Sequence, residues 1–134
     1  MEIAFNWEGF NETEFSRIKK QIQTGRNDLD WVGNVRAGEL CFDLVARHYT
    51  VEEGKSSIEF DCYVGGEDKY SETLDGYPYD WAGGGCAATF EEIKSMDYES
   101  FQTQVEKRLL TFISDTETAG YSLAEKAVLP LHKW

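Results

Sequence analysis

From residue 29 to residue 64 the chain alternates between apolar and polar positions with a period of two, the spacing of strands that bury one face. Leu29, Trp31, Gly33 and Val35 alternate with Asp30 and Asn34, and Leu40, Phe42, Leu44 and Ala46 alternate with Asp43 and Arg47. A third run sets Ile58, Phe60, Cys62 and Val64 against Glu59, Asp61 and Tyr63. Because the turn-like VEEGKS separates the last two runs, they are expected to pair as a long antiparallel hairpin.

Two other segments repeat every three or four residues. Asn11 followed by Glu14 has the spacing of a capping box, and Phe15, Ile18 and Ile22 continue it as far as Gly25, which predicts a helix over residues 12–24. Asp97 caps a longer helix carrying Phe101, Val105, Leu109 and Phe112, with Leu110 and Ile113 widening the stripe until Gly120 ends it. Weaker patterns predict short strands at residues 3–7 and 86–90, and a brief helix from Ser122 to 128 before Pro130. Gly65 and Gly66 open an irregular region expected to run to Gly85. Strands first and helices last imply an α+β domain: an antiparallel sheet of about four to five strands, with the N-terminal helix and the long C-terminal-half helix packed on it.

Composition narrows the class. At 134 residues with 41% hydrophobic content, the chain is sized for a single globular domain over residues 1–134 that buries a real core. No run of about 18 apolar residues is present, and the start MEIAFNWEGF lacks a basic segment leading into an apolar one. Cys41, Cys62 and Cys86 form an odd, sparse set without C-x-x-C spacing, which indicates neither a disulfide framework nor a zinc site. A cytoplasmic protein without a cofactor, metal or membrane contact is the expectation.

Charge changes the picture most. The net charge is −12, and it is uneven: residues 1–50 hold eight acids and six bases, residues 51–100 thirteen and three, residues 101–134 four and four. A local excess of this kind projects a negative field over a Debye length of about 8–10 Å. Nucleic acid is a poor direct partner for it, as is anionic lipid.

Candidate chemistry is sparse. His48 lies on the Leu40/Phe42/Leu44 side of its strand and Cys41 on the other, so the two do not form a dyad. Cys62 can approach His48 across the hairpin, on the presumed core face, and His132 belongs to the tail. Glu59 with Asp61, and Asp75 with Asp80, are carboxylate pairs of the sort a glycosidase or a calcium site uses. The D-x-[DN]-x-[DN]-G spacing of a calcium loop is missing, and Gly83-Gly84-Gly85 is followed by Cys-Ala-Ala where a phosphate loop needs lysine and a hydroxyl.

The segment DGYPYDWAGGG at 75–85 is the most unusual. Tyr77, Tyr79 and Trp81 sit two apart and form either a lid over the core or an exposed anchor, ringed by Glu67, Asp68, Glu72, Asp75 and Asp80. Read as an anchor, these eight residues bind a basic protein surface, and the chain is a non-enzymatic acidic binding protein, monomeric or homodimeric. Its most specific form is a nucleic-acid-mimicking inhibitor of a nucleic-acid-binding enzyme. In format alone the chain resembles the small acidic inhibitors that phages and mobile elements direct against CRISPR effectors and restriction enzymes. The competing reading is a small hydrolase, or a calcium- or carbohydrate-binding domain, built on the 75–85 loop.

Overall fold

The computed structural model describes residues 3–25, 30–47, 56–65, 80–115 and 123–128. Helix α1 (Glu12–Gln23) starts where Asn11 Oδ1 accepts from the Glu14 N–H at 2.9 Å, and it buries Phe15, Ile18 and Ile22. Four strands follow: β1 (Trp31–Ala37), β2 (Leu40–Arg47), β3 (Ser57–Val64) and β4 (Asp80–Thr89). They form one antiparallel sheet in the order β1-β2-β3-β4, flanked in sequence by the short α2 (Phe90–Lys94), the long α3 (Tyr98–Asp115) and α4 (Leu123–Val128). This is an α+β fold with an N-terminal and a later long helix.

The predicted hairpin is present, with Phe42 opposite Cys62 and Leu44 opposite Phe60. Strict alternation therefore sends Leu40, Phe42, Leu44, Ile58, Phe60 and Val64 into one core, where they meet Phe101, Val105 and Leu109 of α3 and the apolar stripe of α1. Gly38, at φ +56 in the β1–β2 turn, packs against the carbonyl of Lys126, and the Glu39 N–H donates to the same oxygen at 2.9 Å. The turn thus seats the end of α4 through backbone contacts that leave no room for a Cβ.

Three expectations need correction. Residues 3–7 make no strand; only Asn6 bridges Arg36, on the outer side of β1. The irregular region does not extend to Gly85, since β4 begins at Asp80 and carries Gly83, Gly84 and Gly85 within it. Phe90 starts α2 rather than ending a strand: Thr89 Oγ1 accepts from the Glu92 N–H at 3.1 Å while Glu92 Oε1 accepts from the Thr89 N–H at 2.9 Å, a complete capping box. Asp97 does cap α3, its carboxylate accepting from the Ser100 N–H at 2.7 Å. Ser122 and Gly120 lie outside the described residues.

Candidate functional site

The helices cover one face of the sheet, and among the described residues nothing covers the other. Alternation dictates who stands there: Cys41, Asp43 and Val45 from β2, and Glu59, Asp61 and Tyr63 from β3. Asp43 lies directly opposite Asp61. Like charges in that relation repel; Arg36, in β1 opposite Cys41, offsets part of this at Asp43, and Arg47 pairs with Asp61.

Two tryptophans flank this pair. Trp81, at the start of β4, is 60% exposed, and its indole Nε1 donates to Asp61 Oδ1 at 3.3 Å. Trp31 is 57% exposed and its side chain hydrogen-bonds Asp43. Its position corrects the alternation read from sequence, which grouped Trp31 with Gly33 and Val35. A register shift between Trp31 and Gly33 sends Val32 into the core and leaves Trp31 opposite Val45 on the open face. One extra residue in an edge strand reverses the facing of everything before it.

Electrostatics on this face follow from partial burial. Desolvation raises the pKa of Asp43, opposed by its hydrogen bonds from Trp31 and Cys41. Arg47 reaches Asp61 at 3.4 Å and Glu59 at 3.5 Å, so Asp61 and Glu59 are balanced on one side only. Cys41 faces this side yet is buried under its neighbours; burial first, and Asp43 second, lift its thiol to about 11. Cys62, on the core side, is lifted by burial to about 12, and Cys86 is also raised by burial. A nucleophilic thiol needs the opposite shift, and Cys62 lies opposite Phe42 rather than near the end of β2.

The remaining sequence candidates divide plainly. Glu67, Asp68, Glu72, Asp75, Tyr77 and Tyr79 lie outside the described residues, as do His48 and His132, and of Asp80 only the backbone is described, as the first residue of β4. Trp81 is described and exposed. Asp43 and Trp31 were missed as site residues, although the β2 alternation already put Asp43 on the face away from Phe42; the Trp31 bulge left no signal in the pattern. Two described acids elsewhere in the acidic third are engaged locally: Glu91 pairs with Lys94 at 2.9 Å and Glu92 with Arg108 at 3.3 Å.

A concavity lies between β4 and α3, an open groove of about 820 Å³. Its floor is the backbone of Gly84 and Gly85 with the rings of Phe60 and Phe112, which meet edge to face at 5.2 Å. Among the described residues, no three His, Cys, Asp or Glu side chains converge in a metal-binding arrangement, and no helix is long and apolar enough to cross a membrane. No family model matches the chain, and no curated protein or solved structure matches it.

Proposed function

We propose that the chain is a non-enzymatic binding protein whose sheet face away from the helices engages a basic surface of a partner protein. The observation that carries this reading is the Asp43–Asp61 pair at the centre of that face, set between two exposed indoles. An arginine or lysine from a partner placed there adds to the partial offset that Arg36 and Arg47 supply, and the indoles add contact area and cation–π attraction worth about 0.5–2 kcal/mol. Charge complementarity supports the choice of partner, because the connection from β3 to β4 adds Glu67, Asp68, Glu72 and Asp75 against Lys69 alone, and it leaves the sheet beside Tyr63 and returns at Trp81.

In its most specific form the partner is a nucleic-acid-binding enzyme and the carboxylates take the place of phosphates. Such channels bind through many phosphate contacts that weaken steeply with salt, and an anionic protein meets the same field. The test is titration with an arginine-rich peptide, read by tryptophan fluorescence at low and at physiological salt. Binding that weakens with salt, and falls about tenfold or more in Asp43→Asn/Asp61→Asn, is the expected result. Salt-independent binding, or an unchanged affinity in the double variant, overturns the reading.

A further inference from the structure

The groove between β4 and α3 separates its charges along its length. Its helical wall is Ser100, Thr103, Gln104, Lys107, Arg108 and Thr111, a stripe at the i, i+3, i+4, i+7 spacing of one helix face. With Asp97 and Glu99 at the start of α3, the lining holds two acids and two cations, and the cations stand at the end away from the acids. The volume of about 820 Å³ falls in the range of small-ligand sites, roughly 300–1,000 Å³.

Each wall contributes a distinct property. Arg108 is tethered: it donates to the Ala87 carbonyl at 2.8 Å and pairs with Glu92 at 3.3 Å, which offsets part of its charge. Lys107 is exposed and makes no ion pair among the described residues. On the floor, a Cβ on Gly85 would stand 2.9 Å from Phe60 Cζ, so the Phe60 ring lies over the strand at the place the glycine leaves for it. The result is an aromatic floor beside one ammonium that makes no ion pair among the described residues. Asp97 and Glu99 stand at the N-terminal end of α3 and repel an anion from that end.

We infer that this groove binds a small ligand combining a flat aromatic body with one anionic group, a carboxylate or sulfonate. The ring lies against Phe112 and the edge of Phe60 beside the Gly84–Gly85 strand, and the anion meets Lys107, the end away from Asp97 and Glu99. This site is independent of the basic-partner reading, which uses the opposite face of the sheet.

The probe is 8-anilinonaphthalene-1-sulfonate, added to the full chain and followed by its fluorescence. Saturable one-to-one binding is expected, weakened about tenfold or more in Lys107→Gln and abolished in Thr103→Phe, whose ring fills the groove from an exposed helix position. Both variants touch solvent-facing side chains, and an unchanged circular dichroism spectrum and urea midpoint establish that they fold. No saturable binding to the wild type, unchanged affinity in both folded variants, or loss in Asp43→Asn/Asp61→Asn instead would overturn the assignment.

Discussion

Asp43 occupies a position that costs the fold something. It is half-buried, and it faces Asp61 across the hairpin. Its carboxyl pKa is raised on folding, chiefly by desolvation. A raised pKa means that stability is full below the unfolded value and is lost as pH rises through the folded one. Asp43→Asn is therefore expected to stabilise the domain at neutral pH by about 0.5 kcal/mol, in the range of cross-strand pair effects, since asparagine still accepts from Trp31 and Cys41. The gain should vanish in acid below the ordinary carboxylate range, where Asp43 is protonated in both states. Urea unfolding at the two pH values checks it; destabilisation by Asn at neutral pH would show that the charge supports the fold. A residue whose neutral analogue folds better while binding a basic peptide worse has the profile expected of a functional position.

At the level of elements, legibility followed one-sided burial. α1, β2, β3 and α3 each bury one face and solvate the other, so their period survives in the residue pattern. β4 does not, because Gly83, Gly84 and Gly85 supply no side chains to alternate, and its strand character comes from pairing with β3. Half of the candidate face was readable in the same way: Asp61 and Glu59 by alternation, Trp31 not at all. α2 is too short for a periodic signal, yet Thr89 and Glu92 carried its capping box in plain view. That box also anchors a tertiary contact, since Glu92 pairs with Arg108 of α3. Glu92 has a lowered pKa, first through the hydrogen bond from the Thr89 N–H, so its contribution is present above the unfolded carboxylate value and is lost as pH falls through the folded one. Thr89→Ala should cost about 1 kcal/mol. In a double-mutant cycle by urea denaturation, Glu92→Gln should cost less in that background than alone, because the box is already broken; strict additivity would mean that the two halves act separately.

The whole molecule carries a net charge of −12, and salt acts on that charge in two opposed ways. Screening weakens surface ion pairs, such as Arg17 with Glu14 at 2.7 Å and Lys126 with Glu39 at 3.4 Å. It also weakens repulsion among the excess carboxylates, which lie on the order of 20 Å apart in a domain with a radius of gyration of about 14 Å. Distance decides which effect wins. Between about 0.01 and 0.15 M salt the Debye length falls from about 30 to about 8 Å, which leaves contacts of about 3 Å largely intact and removes most interactions at 20 Å. Each exposed pair contributes only about 0–1 kcal/mol, whereas twelve like charges repel through every mutual combination at about 0.2 kcal/mol each in unscreened water. Expansion on unfolding relaxes that repulsion, so the folded state bears more of it. Added sodium chloride should therefore raise the urea midpoint across this range, the reverse of what a fold held by ion pairs would do. The same titration should weaken arginine-rich peptide binding, so stability and affinity move in opposite directions with one variable. A midpoint that falls with salt would mean that local pairing, not the collective negative field, governs this molecule.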